Sequence, residues 1–392
     1  MDALVEYGLD LSPIYDDYTE VRGGPPYDPR LMVKILIYGY SHGITSSRAL
    51  ERRCHDDIAY GFLTAQQAPD FVAISRFRTR HAEAFKKLFT QSLALCAQAG
   101  LVCLGRVALD GSKIRASASR HRAMSYDRMV RAEGELAAAR GASRRSGRRR
   151  LPWRRSTARK ARAQAEQAAT ERGEDPAQAT QAGDIAEAAA VVPAKAQRSF
   201  TDPDSRIMKT SDGSFHYCYN AQHIVDERSQ VILSWALRPS GADCPALPDM
   251  LTALKTSLAA AGIEGLPKTF LADAGYFSAD NVTAVTEAGM DPLLATGRLK
   301  HGEKPPPAPR GRIPKNLSPK QRMTRKLRTL KGKADYARRK AIVEPVFGQM
   351  KVAQDAEQFR LRGQDKTDGE WALHTFCHNL RKLQGSGWTP RW

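Results

Sequence analysis

The sequence predicts an α/β protein: a mixed sheet flanked by helices, with an all-helical segment ahead of it and a basic insertion within it. Three observations carry this reading. Between residues 106 and 117 an apolar run, Val107 to Leu109, leads into Asp110, and Gly111, Ser112 and Lys113 follow. This is the pattern of a buried strand that delivers an acid at its C-terminal end. The arrangement recurs at residues 269–276, where Phe270, Leu271 and Ala272 precede Asp273 and a Gly turn. Between the two copies, residues 123–199 are rich in Arg, Ala and Gln and hold little that could be buried.

The chain has 392 residues, enough for two or three domains. Lys and Arg number 61 against 42 Asp and Glu, a formal net charge of +19. A protein this basic is expected to meet a polyanion, and nucleic acid is the first candidate. The six cysteines form no C-x-x-C pair, which argues against a zinc ribbon or a thioredoxin motif and suits a reducing cytoplasm. Residues 1–11 carry acids and no basic start, unlike a secretory signal. No stretch approaches the roughly 20 apolar residues of a membrane helix; the most apolar early run, from Leu31 to Tyr40, contains Lys34.

Residues 1 to about 100 read as helical. Asp28-Pro29 marks a helix start with Leu31, Ile35, Leu36 and Tyr38 on its apolar face, and residues 45–48 can cap a second helix. Residues 74–95 read as one longer helix with Arg76, Arg78, Arg80, Lys86 and Lys87 on its polar face. A helix-turn-helix DNA reader and a helical packing domain with a solvated basic face fit these residues equally. Residues 124–140 are helical and Ala-rich. Residues 144–162 hold the densest basic block, with Arg148, Arg149 and Arg150 consecutive, and are expected to contact phosphates. Residues 164–196 read as a surface helical arm or partly disordered segment.

From residue 200 the pattern becomes α/β. Residues 215–225 and 231–237 are strands joined at Asp226-Glu227-Arg228, and Asp243-Cys-Pro begins a helix reaching Leu258. The strand before Asp273, a helix from Ser278 and a short strand at 292–295 follow. Residues 300–333 are basic, with Pro305, Pro306 and Pro307 as a stiff linker. Residues 336–350 form a helix carrying Glu344, with a kink or break expected at Pro345. A closing helix spans 371–383.

If the strands bearing Asp110 and Asp273 are parallel neighbours, both acids emerge at one carboxyl-end edge, where open α/β sheets place their sites. Glu344 can close that site from a helix. Three unpaired carboxylates would repel one another, and they make sense as ligands for Mg²⁺, with Mn²⁺ as an alternative. Two such ions about 3.5–4 Å apart can clamp the attacking and leaving oxygens of an in-line phosphoryl transfer.

The chain resembles bacterial insertion-sequence transposases of the DDE type. Tyr27-Asp-Pro-Arg, the stretch from Gly39 to Arg48 and that from Pro69 to Arg78 are similar to the family's helical N-terminal domain. Leu109-Asp-Gly-Ser-Lys113 and Ala272-Asp-Ala-Gly-Tyr276 resemble its two Asp motifs, and Val343-Glu-Pro-Val-Phe-Gly348 its Glu motif. Residues 201–206 and Tyr219-Asn-Ala-Gln222 resemble the segment before and in the second strand. The resemblance implies an RNase H-like catalytic domain at 101–122 and 200–392, a helical N-terminal domain at 1–100 and an inserted arm at 123–199. It implies Asp110, Asp273 and Glu344 as catalytic and metal-binding residues. Tyr336, Arg339 or Lys340, and Lys351 fall at the family's DNA-contacting positions; Lys113 and Arg115, beside the first Asp, join them as candidates, as does the Arg148–Arg150 block. It further implies double-stranded DNA as partner, both terminal inverted repeats and target, a homo-oligomer holding two ends, and a cytoplasmic, nucleoid-associated location. An RNase H-like nuclease without strand transfer, and a decayed transposase acting only as a DNA-binding protein, are the alternatives. His374 and His378 have metal-ligand spacing, but no Glu follows His374, so a helix face is the expected role. No Walker A motif is present, so no ATP requirement is implied.

Overall fold

The computed structural model describes residues 2–18, 26–119, 123–139, 152–171, 175–189, 197–297, 307–311, 313–314 and 316–388. It divides into two compact units, one built from residues 1–118 and 204–392, the other from residues 119–203.

The larger unit opens with helices α1 (Ser12–Tyr15), α2 (Pro29–Ser41), α3 (Ser47–Asp56), α4 (Ile58–Leu63), α5 (Phe71–Arg80) and α6 (Ala82–Gln98). Asp28 caps α2 by accepting from Arg30 N at 2.7 Å, just ahead of Pro29. The single helix expected over residues 74–95 is instead two, broken at His81. The His81 ring packs on Phe77 and Tyr18, and its Nδ1 lies 3.2 Å from Asp17 Oδ2. Tertiary contacts, which local helix propensity does not report, turn the chain there. Strand β1 (Arg106–Arg115) follows and runs well past Asp110.

The smaller unit pairs β2 (Ala123–Ser125) with β3 (Gln197–Ser199) and contains α7 (Tyr126–Ala139), α8 (Pro152–Glu171) and α9 (Pro176–Ala189). The expected arm is therefore largely helical in its described parts. Arg162 ties α8 to α9, reaching Glu166 at 2.7 Å, Asp184 at 3.0 Å and Glu187 at 3.3 Å. Arg148, Arg149 and Arg150 lie outside the described residues.

The chain then returns to the larger unit with β4 (Arg206–Lys209), β5 (Phe215–Asp226), β6 (Ile232–Arg238), α10 (Leu247–Ala260), β7 (Thr269–Ala272), α11 (Ala279–Glu287) and β8 (Asp291–Leu294), then α12 (Pro319–Arg328), α13 (Leu330–Ala353) and α14 (Gln364–Gly385). The strands form one six-stranded sheet in the order β4-β5-β1-β7-β8, with β6 also on β5. β5 is antiparallel to β1, β4 and β6; β1, β7 and β8 are mutually parallel. The middle of α14, from Gly369 to Leu380, is buried, packing on α2, α6 and β6. His374 and His378 lie in its core, His374 against Tyr40 and Trp371. Burial lowers them to about 3 and about 4.

α13 corrects another expectation, since it continues through Pro345. Proline cannot donate to the carbonyl four residues back, which is that of Ala341. Gln230 Nε2 makes that bond in its place, at 2.9 Å.

Candidate active site

The parallel pairing of β1 with β7 places Leu109 beside Ala272. One step further along each strand stand Asp110 and Asp273, side by side where β7 ends; rather than ending at its acid as expected, β1 continues to Arg115, because β5 pairs with it that far. Alternation puts the Asp110 side chain on the sheet face covered by α13. Asp110 Oδ1 accepts from its neighbour Gly111 N at 2.8 Å, and Oδ2 from Arg339 Nη1 at 2.9 Å. The other guanidinium nitrogen, Arg339 Nη2, lies 3.7 Å from Glu344 Oε1. Asp273 Oδ1 caps the following turn by accepting from Gly275 N at 2.8 Å.

α13 is seated by an aromatic stack. His223, opposite Asp110 in the β1–β5 register, lies parallel to Phe347 with ring centroids 4.5 Å apart. Trp371 Nε1 donates to His223 Nε2 at 3.1 Å, so the imidazole is fixed from both elements. Val343, Val346, Phe347 and Met350 turn inward, and Glu344 stays half exposed at the mouth of the site. Burial raises the Asp110 carboxyl above its usual range; Arg339 and the Gly111 amide oppose this, and the charge of Asp273 adds to it. Burial likewise raises the Tyr336 hydroxyl, which sits among Arg339, Asp273 and Asp110. Among the described residues, no three His, Cys, Asp or Glu side chains are gathered tightly enough to hold a metal ion. Arg339 occupies the space between Asp110 and Glu344.

The remaining candidates scatter. Lys340 is exposed, Lys351 is partly buried with its ammonium lowered by that burial, and Arg115 pairs with Glu357 at 3.1 Å. Lys113 points to the opposite sheet face, 3.3 Å from Asp243 Oδ1 and 3.2 Å from the Gly241 carbonyl.

Asp243 itself escaped the sequence reading. It precedes a Cys-Pro helix start and reads as a cap, yet its side chain makes no cap bond. It turns instead to β5, accepting from Asn220 Nδ2 at 2.8 Å and Gln222 Nε2 at 3.0 Å. The one signal pointing there was the alternation of two carboxamides, Asn220 and Gln222, within the buried part of β5.

An α/β sheet that sets one aspartate within its first strand beside another at the end of the adjacent parallel strand, closed by a glutamate-bearing helix, defines the class of RNase H-like phosphoryl-transfer domains. The "Transposase DDE domain" family model matches residues 189–380, a span that includes Asp273 and Glu344. The "Transposase domain (DUF772)" model matches residues 1–80. The chain belongs to the DDE transposases of insertion sequences, enzymes of DNA transposition whose family generally uses divalent metal ions. Asp110 lies between the two matched spans. No curated protein and no solved structure matches the chain. Among the described residues, no helix is long and apolar enough to cross a membrane.

Proposed function

We propose that this transposase binds the inverted-repeat ends of its element, cuts them by hydrolysis and joins the freed ends to target DNA, with Asp110, Asp273 and Glu344 as its metal-holding triad. The observation that carries the reading is the placing of Asp110 and Asp273 side by side just beyond the parallel pairing of β1 with β7, with Arg339 of the Glu344 helix reaching toward both Asp110 and Glu344. The donor set suits Mg²⁺ or Mn²⁺, because carboxylates are hard oxygen ligands. The Arg339 guanidinium supplies positive charge between Asp110 and Glu344, where a cation's charge would fall. Held by Asp110, Asp273 and Glu344, such ions would supply positive charge for activating water and for steadying the phosphate.

The chain's own residues hold and orient. Asp110 presents carboxylate oxygens from within β1 and Asp273 from the end of β7, and Glu344 adds its own from a helix seated by His223. Tyr336, Lys340 and Lys351 lie on the same helix and are assigned, with Arg115, to phosphates flanking the cut; the basic insertion is assigned to DNA phosphates separately. In hydrolysis, water oxygen bonds to phosphorus and the bond to the 3′ oxygen breaks, leaving a free 3′-OH. That hydroxyl then attacks a target phosphodiester, so no covalent protein–DNA intermediate forms. Two ends require at least two protomers, and the helices of residues 1–100 are assigned to end binding.

The test is cleavage of a labelled end duplex, and strand transfer of a pre-cut end, by Asp110→Asn, Asp273→Asn and Glu344→Gln. Loss of both reactions with DNA binding retained is expected. Cleavage without strand transfer by the unaltered protein would reassign it as a nuclease.

A further inference from the structure

We propose that Gln222, Asp243 and Tyr276 form a relay that positions Asp273, and that the glycines beside the two aspartates leave the room it needs. The inference rests on Asp273 holding a divalent ion, as proposed above. Asp273 opens a short turn, Ala274–Tyr276. The Tyr276 ring at the far end of the turn is fully buried, and its carbonyl accepts from Asn281 Nδ2 at 2.7 Å. Its hydroxyl donates to Gln222 Oε1. Gln222 Nε2 donates in turn to Asp243 Oδ1 at 3.0 Å. A carboxylate only accepts, so Asp243 fixes the direction of the Gln222 amide and leaves its oxygen for the tyrosine hydroxyl. Asn220 Nδ2 and Lys113 Nζ reach the same Asp243 oxygen, at 2.8 Å and 3.3 Å.

The glycines complete the argument. A Cβ on Gly275 would lie 3.0 Å from Asp273 Oδ1 and 3.5 Å from Asp243 Oδ2, so Asp243 flanks the turn directly. A Cβ on Gly111 would run into Gln222 Nε2 and lie 2.9 Å from Asn220 Oδ1. Gln222 and Asn220 thus occupy the space that a side chain would claim just after Asp110, while two residues after Asp273 the tight neighbour is Asp273 Oδ1 itself and Asp243 stands at contact distance. The turn cannot shift its aspartate without breaking a buried hydrogen bond, which is costly when the partner stays behind. Gln222, Asp243 and Tyr276 are positioning residues, acting on the metal through Asp273.

The experiment titrates the full-length protein with Mn²⁺, reading the free ion by electron paramagnetic resonance, and records a melting curve for each variant. Tyr276→Phe and Gln222→Met each strand one buried polar atom and are expected to lower Tm, whereas the double variant removes both partners and recovers it. Asp243 keeps its Asn220 and Lys113 donors throughout. Mn²⁺ affinity is expected to fall about 10- to 100-fold in all three, the range for groups that orient ligands from behind, and to stay low in the double variant. An affinity that recovers together with Tm would reduce the relay to a structural element and overturn the proposal, as would wild-type affinity in both single variants. Asp273→Asn separates the two readings. If it loses Mn²⁺ while the relay variants keep it, the relay alone falls; if it binds like the wild type, the metal site falls and takes the relay with it.

Discussion

On one face of β1, Asp243 receives a carboxamide from Asn220, another from Gln222 and the Lys113 ammonium, all on a single oxygen. On the other face, Asp110 has one backbone amide and one guanidinium, which also reaches toward Glu344. The two carboxylates stand close along the chain fold but in opposite conditions. Asp243 is satisfied by groups that belong to the frame. Asp110 is buried enough that its carboxyl is raised, and Arg339 only partly relieves it. A buried charge left short of partners is expensive, and the proposed divalent cation would supply such a partner on this face. The difference teaches how one sheet can hold carboxylates in different conditions on its two faces: Asp243 fixed by three donors, Asp110 held by an amide and a guanidinium.

The largest effect is expected where the comparison is sharpest. Asp110→Asn, Asp273→Asn and Glu344→Gln should each lower end cleavage by on the order of 10³-fold, the scale for losing a group that faces transition-state charge. Asp243→Asn keeps an acceptor for Gln222 and should lose far less. Equal losses at Asp110 and Asp243, measured on the same labelled duplex, would erase the distinction between the faces.

Gly111→Ala tests the crowding behind β1. Its Cβ has no room beside Gln222 and Asn220, and the overpacking should cost about 1–3 kcal/mol in denaturant unfolding. An unchanged midpoint would show that the network yields easily.

Arg339→Gln removes the cation from the Asp110 face alone. Without DNA, Mn²⁺ affinity should rise on the order of 10-fold, since one repelling charge is withdrawn. Unchanged affinity would mean that the guanidinium does not stand where the ion binds. The smallest effect is expected at Gly348, in α13, where an added Cβ meets nothing within 4 Å. Alanine there should raise stability by up to about 1 kcal/mol through helix propensity, the opposite sign from Gly111→Ala in the same unfolding assay.

Much of this site could be read in the sequence, for a physical reason. A short apolar run ending in Asp, then Gly, is a local signal, and it occurs twice, so β1 and β7 announce themselves. Their parallel adjacency stood in the sequence only as a condition, and the pairing of β1 with β7 meets it. Asp243 was hidden because an acid before Cys-Pro also fits a helix cap, and only the fold shows the side chain turned to β5. Pro345 signalled a break because its missing donor is local, while the remedy, Gln230, lies on a distant loop. The break at His81 has the same origin: Asp17 and Tyr18, far back in the chain, hold the ring. What pattern and propensity miss, in each case, is a polar partner supplied by tertiary structure.

The most direct test of the account is anomalous diffraction from crystals of the protein soaked in Mn²⁺. The account predicts a peak about 2.1 Å from carboxylate oxygens of Asp110 and Asp273, with Glu344 turned toward it and Arg339 displaced from Asp110. A peak on Asp243, or saturating Mn²⁺ with Asp110 still bonded to Arg339 and no ion beside Asp273, would contradict it.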